Sequence, residues 1–246
     1  MRAWTLGTAG WMPTAHRQTM SVLVRDGDRA IVLDAGTGAA RLVWEPQLLD
    51  GVARLDVVLT HFHLDHVSGL LALPATGLPI RIHAPGSWLY GRPSDRLLDP
   101  ILRPPLSPFA SAEPFDIREL EPGTDEIAGF PVSLRAQLRH WAPTAGIRIG
   151  GSLALLTDTA FDEGSAGFVA GVRHLLHEAW STSQAPSSTE GDATAAQAGQ
   201  VAAAAEVGRL TLVHLHPRAD PAALERDARS LFPDAEVGVD GRELTP

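Results

Sequence analysis

The sequence predicts an α/β protein in which helices pack on the outer faces of β-sheets. Short runs rich in Val, Ile and Leu alternate with segments that have the apolar spacing of helices. Glycines near Gly27 and at Gly150-Gly151 stand where tight hairpin turns are expected. Some neighbouring strands should therefore be joined directly rather than through helices.

Nine apolar runs are the predicted strands: residues 20–25, 30–34, 56–60, 80–83, 132–138, 146–149, 152–157, 172–177 and 209–214. Four segments with helical spacing are the predicted helices: residues 38–50, 65–73, 194–207 and 221–231. The last opens with Asp220 before Pro221, a favourable N-cap followed by proline in the first turn. No repeat or interdomain linker divides the chain, so we expect one domain over residues 1–246.

Two segments interrupt the alternation of strands and helices. Residues 92–122 are proline-rich with little periodicity, and residues 181–192 form a polar Ser/Thr/Gln stretch. Long loops in compact domains often carry function, and mobile surface is the alternative interpretation. The first segment is a candidate for a lid over a site or for a contact in a homodimer.

The composition limits the kinds of partner. The 246 residues carry a formal net charge of −9, from 20 basic and 29 acidic residues. Broad nucleic-acid binding needs a concentrated basic surface, so we expect none, although a bound metal could hold a short phosphate-bearing substrate. The chain has no cysteine, so any metal must be held by His and carboxylates. Neither a signal peptide nor an apolar run of about 18 residues is evident, so we expect a soluble cytoplasmic protein without membrane contact.

The strand predicted at residues 56–60 runs directly into His61-Phe62-His63-Leu64-Asp65-His66. Three imidazoles and a carboxylate within six residues are costly to bury together unless a cation holds them. Alternation on an extended segment places His61 and His63 on one side. Asp65 and His66 begin the following helix and can face a second, neighbouring position. The run therefore predicts a divalent metal site rather than solvated surface histidines.

This run resembles the HxHxDH signature of the metallo-β-lactamase superfamily at every defined position. The resemblance implies a four-layer αβ/βα sandwich with a two-metal site at the edge of its two sheets. It also implies that a lone His, a bridging Asp and a final His at strand ends complete the site. His140, Asp158 and His214 follow predicted strands in that order.

The ligand set that the resemblance implies divides between two metals. His61, His63 and His140 would hold one, Asp65, His66 and His214 the other, and Asp158 would bridge them. Nitrogen and carboxylate ligands without sulfur suit two zinc ions best, with manganese or iron as alternatives. Such a pair would lower the pKa of a shared water, and the bridging hydroxide would cleave an ester-like bond without a protein nucleophile.

Other stretches resemble the ribonuclease Z branch of this superfamily. They are Leu6-Gly7-Thr8-Ala9-Gly10, the stretch 33–38, Leu176-His177-Glu178-Ala179, and His214-Leu215-His216-Pro217-Arg218. Two features depart from the branch. Asp192 stands where the family has a His that works with the Glu in proton transfer, and no tRNA-gripping arm separates His140 from Asp158. The departures make tRNA 3′ processing an alternative rather than the expected activity.

We expect a metal-dependent hydrolase that cleaves a phosphodiester or similar ester in a small molecule or short nucleic acid. The predicted catalytic residues are Asp65, Glu178 and Asp192, with Glu178 acting as an acid/base or else bonding a ligand imidazole. The predicted substrate contacts are Arg17, His216 and Arg218, and candidates for lining the pocket are Trp88, Tyr90, Trp141 and Trp180. Besides tRNA 3′ processing, the alternatives are hydrolysis of a lactone, thioester or aryl sulfate, an iron-dependent persulfide dioxygenase, and a non-catalytic metal-binding module.

Overall fold

Two seven-stranded sheets form the centre of the computed structural model, which describes residues 1–109, 114–185 and 191–246. The first sheet contains, in spatial order, β14 (Arg242–Leu244), β1 (Arg2–Gly7), β2 (Ser21–Asp26), β3 (Arg29–Leu33), β4 (Leu55–Val58), β5 (Ile80–Ala84) and β6 (Phe115–Glu119). The second contains β13 (Ala235–Val237), β12 (Arg209–Val213), β11 (His174–Glu178), β10 (Leu153–Leu156), β9 (Thr144–Ile149), β8 (Phe130–Gln137) and β7 (Gly123–Ile127). The α-helices are α1 (Arg41–Trp44), α2 (Leu64–Val67), α3 (Gly86–Tyr90), α4 (Ser94–Leu102), α5 (Gly164–Phe168), α6 (Ala195–Ala204) and α7 (Pro221–Arg229).

Three apolar clusters hold these layers together. The central cluster joins the inner faces of the two sheets, where Val22 and Ile31 pack in one group with Ile147 and Leu155. A second cluster packs the short helices, including α4, on the outer face of the first sheet, and a third packs α6 and α7 on the outer face of the second. The order helix, sheet, sheet, helix is the predicted four-layer αβ/βα sandwich, which is thereby confirmed.

Strand direction determines where functional side chains gather. In the first sheet β3 to β6 run parallel, and in the second β10 to β13 run parallel. The carboxyl ends of parallel strands lie at one edge of a sheet, where such folds bind ligands. Residues that follow β3, β4, β10 and β12 therefore meet at one end of the sandwich.

Two of the four predicted helices are not continuous α-helices in the structure. Residues 38–50 are not one helix but α1 between two 3₁₀ turns, Thr37–Ala40 and Pro46–Leu49. Pro46 lacks an N–H group and ends the helix before it. The segment 65–73 is α2 followed by the 3₁₀ turn Ser68–Leu71.

The other two predicted helices are present with the expected caps. Thr194 forms a capping box with Gln197 at the start of α6, and the Asp220 side chain accepts the Ala222 N–H at the start of α7. These caps explain why α6 and α7 begin where the sequence indicated.

Several elements were not predicted: β1, β6, β7, β13, β14, α3, α4 and α5. The segment 92–122, interpreted as irregular, contains α4 and β6. Residues 110–113 of this segment lie outside the described residues, as do residues 186–190 of the segment 181–192. In the described part of the chain, no helix is both long and apolar enough to cross a membrane.

Candidate metal centre

The metal-ligand candidates stand at strand ends on one edge of the sandwich. His61 follows β4, His140 follows β8, Asp158 follows β10, and His214 directly follows β12. The helix α2 begins after His63, which brings Asp65 and His66 onto its first turn. Apart from the half-exposed His63, these side chains are buried or nearly so.

An uncommon backbone conformation turns some of these residues into the cleft. Asp158 and His214 have φ values of 51° and 50°, and Asp34, which follows β3, has 56°. Positive φ at non-glycine residues costs on the order of 1–3 kcal/mol each and persists where the surrounding structure enforces it. Strain at three converging strand ends is typical of a functional site.

The carboxylate of Asp158 lies between two sets of three side chains. Its Oδ1 is 3.6 Å from His61 Nε2, 3.9 Å from His63 Nδ1 and 3.5 Å from His140 Nε2. Its Oδ2 is 3.2 Å from His66 Nε2 and 3.4 Å from His214 Nε2, and both imidazoles also face Asp65 Oδ2. Each carboxylate oxygen thus faces one of the two sets that the sequence predicted.

The distances between these ligand atoms fit divalent metal ions, and so does the lack of hydrogen-bond partners for two of them. A tetrahedral zinc ion with ligand bonds of about 2.0–2.1 Å has ligand atoms about 3.3 Å apart. The separations within the two sets, 3.2–3.9 Å, are close to that value. His61 Nε2 and His66 Nε2 are buried without a hydrogen-bond partner, which is costly unless a cation is bound. The donor set therefore fits two metal ions, with Asp158 shared between them.

A carboxylate behind the ligands fixes two of the imidazoles. Asp34 accepts a hydrogen bond from His66 Nδ1 at 2.8 Å and from the Thr60 hydroxyl, which in turn accepts from His61 Nδ1 at 2.9 Å. These bonds place the ring hydrogens on the Nδ1 atoms and leave both Nε2 atoms as metal-binding lone pairs. His140 is fixed similarly by a 2.8 Å bond from Nδ1 to the Gly191 carbonyl.

The pKa values of neighbouring ligand imidazoles are shifted in opposite directions by their surroundings. Burial, followed by the charge of His66, lowers the pKa of His61 well below its ordinary value. Burial also acts to lower the pKa of His214, but the carboxylates of Asp158 and Asp65 outweigh it and raise that pKa to about 10. The carboxylates of Asp158 and Asp34 raise the pKa of His66 against burial in the same way. A metal that binds these two imidazoles must displace their protons.

Replacement of Asp34 tests the ligand-orienting network. Asp34→Asn is expected to weaken zinc binding about 10–100-fold, because an amide has one acceptor oxygen and cannot accept both the His66 Nδ1–H at Oδ2 and the Thr60 backbone N–H at Oδ1. Zinc affinity measured by competition with a chromophoric chelator checks this. The matched control is Asp56→Asn, which breaks a similar 2.8 Å pair with His83 elsewhere in the protein. Equal zinc affinity in the two variants would show that Asp34 does not support the metal centre.

Glu178, predicted as an acid/base or as a residue that bonds a ligand imidazole, lies behind His214 and is fully buried. Its Oε1 accepts hydrogen bonds from the backbone N–H groups of Thr159 and Ala193, and its Oε2 is 3.4 Å from His214 Nδ1. Burial, and to a smaller extent Asp158 and Asp192, raise the pKa of its carboxyl. Its position joins the Asp158 loop, the Asp192 loop and the ligand His214.

The open side of the ligand cluster is a cleft that we call the metal cleft. Its walls include Trp11, Leu64, Trp141, Trp180 and Asp192. Trp141 and Trp180 were candidates from sequence. Trp88 and Tyr90 were too, but Trp88 packs on the core between the sheets and Tyr90 donates to the Pro143 carbonyl.

The predicted substrate contacts separate into two groups. His216 and Arg218 line a cavity beside the metal cleft. Arg17 is not among the residues that line either cavity, because its guanidinium donates to Thr8 Oγ1 at 2.6 Å and to the Gly238 carbonyl. Asp34 and Trp11 were not predicted as site residues, although Asp34 stands at the end of a predicted strand as Asp158 does.

Comparison with known proteins agrees with this architecture. A sequence model of the family described as "Beta-lactamase superfamily domain" matches residues 29–215. The chain belongs to this superfamily. The prediction of a metallo-β-lactamase-fold hydrolase is thereby confirmed.

Relatives and solved structures extend the match over the whole chain. Ribonuclease Z of Methanopyrus kandleri is 26% identical over 281 aligned residues, which cover 96% of this chain and 94% of that protein. The metallo-beta-lactamase fold protein YhfI from Bacillus subtilis superposes with a TM-score of 0.82 at 17% identity, over 100% of this chain and 99% of that one. A diphosphatase from the PhnP family superposes with a TM-score of 0.77 at 18% identity, over 100% and 97%. At these identities the two structural matches show the shared fold.

A short hairpin connects two of the ligand residues in this chain. The 281 aligned positions exceed the 246 residues of the chain, so the ribonuclease Z relative contains segments that this chain lacks. Between His140 and Asp158 the chain forms only β9, a tight turn and β10. No additional domain separates these two ligands.

Proposed function

We propose that this protein uses two divalent metal ions, zinc being the most suitable, to hydrolyse a phosphodiester or a similar ester in a small substrate. The observation that carries the proposal is the Asp158 carboxylate, whose two oxygens face separate three-residue ligand sets. When bound, such a metal pair activates water and polarises the substrate oxygen that takes up charge. The ligand residues His61, His63, His140, Asp65, His66 and His214 would hold it, with Asp158 shared.

The proton that the attacking water releases would pass to Asp192, and Asp192 would deliver it to the leaving oxygen. This residue lines the metal cleft, and its Oδ1 lies 3.6 Å from Nδ1 of the ligand His140. A carboxyl at this position can reach a leaving oxygen on a substrate held at the metals. Glu178 is fully buried behind His214 and cannot touch a substrate from there. We therefore assign Asp192 to proton transfer and Glu178 to positioning His214.

The walls of the metal cleft favour a small substrate with an apolar or aromatic group. Trp11, Leu64 and Trp141 line the cleft and are 65%, 66% and 72% exposed. Large apolar side chains at a cleft become buried when a ligand with a planar or apolar body binds there. No arginine is among the described residues that line the cleft, whereas a polynucleotide needs several basic contacts to its phosphates. The net charge of −9 and the absence of a tRNA-gripping arm also disfavour tRNA as the substrate.

A substrate panel tests the proposed function. The zinc-loaded protein is expected to cleave bis(p-nitrophenyl) phosphate, and Asp65→Ala is expected to abolish this cleavage by removing a ligand of one metal. The same preparation is assayed on a lactone, a thioester, an aryl sulfate and a precursor tRNA, and the iron-loaded protein on a persulfide.

The panel discriminates among the classes. Cleavage of the diester without processing of the precursor tRNA supports the proposal. Efficient tRNA 3′ processing would instead favour the activity that the name of the Methanopyrus kandleri relative states. Turnover confined to a lactone, thioester, aryl sulfate or persulfide would refute the phosphodiesterase assignment, and metal-dependent stability without turnover would indicate a binding module.

A further inference from the structure

Three residues beside the metal cleft, Gly10-Trp11-Met12, form a tight turn that we call the Trp11 turn. The Met12 N–H donates to the Gly10 carbonyl at 2.7 Å, and Trp11 between them has a φ of 64°. A three-residue turn with positive φ at its central residue is the rare and strained form of the γ-turn. Glycine adopts positive φ at little cost, whereas a bulky residue does so only where the surrounding structure enforces it.

The backbone of the Trp11 turn contacts two members of one ligand set. The Trp11 N–H donates to Asp65 Oδ2 at 2.6 Å. The Gly10 N–H donates at 3.0 Å to the carbonyl of Leu215, which directly follows His214. A methyl group at Gly10 would lie 2.6–2.8 Å from three atoms of the His214 ring, so this close approach requires glycine. The turn therefore fixes the positions of Asp65 and His214, which face the same predicted metal.

The loop that carries the Trp11 turn is anchored on the side away from the ligands. The guanidinium of Arg17 donates to Thr8 Oγ1 at 2.6 Å and to a backbone carbonyl. The Thr8 hydroxyl in turn donates to the carboxylate of Asp240 at 2.6 Å. These side-chain bonds hold both ends of the loop between β1 and β2, so the turn is presented to the cleft by a fixed support.

The indole of Trp11 has no comparable task in folding. It lines the metal cleft, is 65% exposed, and lies 6.3 Å from the His216 ring between centroids. An indole with that exposure buries too little area to offset a strained backbone. Glycine at position 11 would keep the N–H that binds Asp65 and would remove the strain. The presence of tryptophan instead indicates that the side chain contacts a ligand in the cleft.

We propose that Trp11 determines specificity by placing its indole against an aromatic arm of the substrate ester, and that the backbone of Gly10 and Trp11 positions the metal held by Asp65, His66 and His214. The inference rests on the proposed function for the presence of the metals. It deepens that function by making one metal position depend on the same turn that receives the substrate.

Binding of two monoesters that differ by an aromatic ring tests the role of the indole. The zinc-loaded protein is titrated calorimetrically with phenyl phosphate and with methyl phosphate. We expect phenyl phosphate to bind about tenfold more tightly, because its ring buries apolar area against Trp11. Trp11→Gly should remove most of this preference while the protein keeps both zinc ions and its thermal unfolding midpoint, since glycine retains the N–H and adopts positive φ without steric cost.

Glu206→Gly is the matched control. Glu206 is exposed, has a φ of 50°, and is not among the described residues that line the metal cleft. Its replacement relieves the same kind of backbone strain and should leave the preference for phenyl phosphate unchanged. A preference that survives Trp11→Gly, or one that is lost equally in Glu206→Gly, would overturn the role of the indole.

Gly10→Ala tests the positioning role of the backbone. The added methyl group must displace either the His214 ring or the turn, so we expect about one bound zinc ion in place of two. Anomalous diffraction should show that the missing ion is the one at Asp65, His66 and His214. Gly167→Ala, whose added methyl group meets no atom within 4 Å, should keep both ions. Two fully occupied zinc positions in Gly10→Ala would refute this role. Thermal unfolding establishes that each variant is folded, and the Trp11→Gly measurement does not depend on Gly10→Ala.

The outcomes separate this inference from the proposed hydrolysis. A preference for phenyl phosphate that depends on Trp11, in a protein that does not cleave bis(p-nitrophenyl) phosphate, would uphold the role of the indole and refute the hydrolysis. Cleavage of that diester by a protein with equal affinity for the two monoesters would uphold the hydrolysis and refute the role of the indole. A protein that binds no zinc would refute both.

Discussion

Asp158→Ala is expected to lower kcat for bis(p-nitrophenyl) phosphate on the order of a thousandfold, since a bound metal supplies several kcal/mol of transition-state stabilisation. The variant removes a carboxylate that faces both ligand sets, at 3.2–3.9 Å from five imidazole nitrogens. Without it, those imidazoles lose their common counter-charge, and the two proposed metals would lose their shared ligand. Metal content by inductively coupled plasma mass spectrometry should fall below that of the wild type in the same preparation.

Two further variants, Asp158→Asn and Asp162→Ala, serve as controls for Asp158→Ala. Asp158→Asn keeps one oxygen donor of similar shape, so we expect it to retain more metal than Asp158→Ala while remaining strongly impaired. Asp162→Ala removes a carboxylate of the same loop that pairs with Arg135 instead of the ligand imidazoles, and should keep full metal content. An Asp158→Ala protein with wild-type metal content and activity would refute the bridging role.

The second large effect concerns Asp192 and depends on the leaving group. Asp192→Asn should lower kcat about 10²–10³-fold for a diester with an alkoxide leaving group, which needs a proton from a general acid. For p-nitrophenolate, which leaves readily without a proton, the same variant should lose less than about tenfold. Steady-state kinetics on methyl p-nitrophenyl phosphate and methyl p-nitrobenzyl phosphate, two diesters of similar size, measure the difference.

Glu178→Gln is the comparison for this experiment. Because Glu178 is buried behind His214, its replacement should weaken metal binding and lower kcat equally for good and poor leaving groups. A leaving-group dependence in Glu178→Gln that is absent from Asp192→Asn would reverse the assignments. The resemblance to the ribonuclease Z branch implies that Asp192 replaces a histidine, so the outcome also tests how far the chemistry of that branch applies to this protein.

The run from His61 to His66 was accessible from a local signal, whereas His140, Asp158 and His214 were assigned as ligands from the resemblance to the superfamily. The run from His61 to His66 concentrates costly side chains after an apolar strand, and Asp158 and His214 each end such a strand. Since carboxyl ends of parallel strands meet at one edge, their proximity followed once the strands were assigned. The clustering of all seven side chains in the structure agrees with that reasoning.

The remaining features depend on long-range contacts that periodicity does not encode. The edge strand β7 has four exposed residues of five, so its sequence lacks the apolar alternation of a half-buried strand. Trp11 enters the metal cleft because its backbone N–H donates to Asp65 Oδ2 at 2.6 Å, across 54 residues of chain. Arg17 was assigned to the substrate from a resemblance, but its guanidinium is held by Thr8 and Gly238. Which loop residues face a site is decided by tertiary contacts of this kind.

The central claim, a dinuclear centre divided by Asp158, is tested most directly by anomalous diffraction from zinc-loaded crystals. Data collected on both sides of the zinc absorption edge locate the metals independently of the protein atoms. We predict two peaks about 3.5–4 Å apart. One should lie among His61, His63 and His140, the other among Asp65, His66 and His214, with Asp158 between them. A single peak at full zinc loading, or two peaks that both lie on one side of the Asp158 carboxylate, would contradict it.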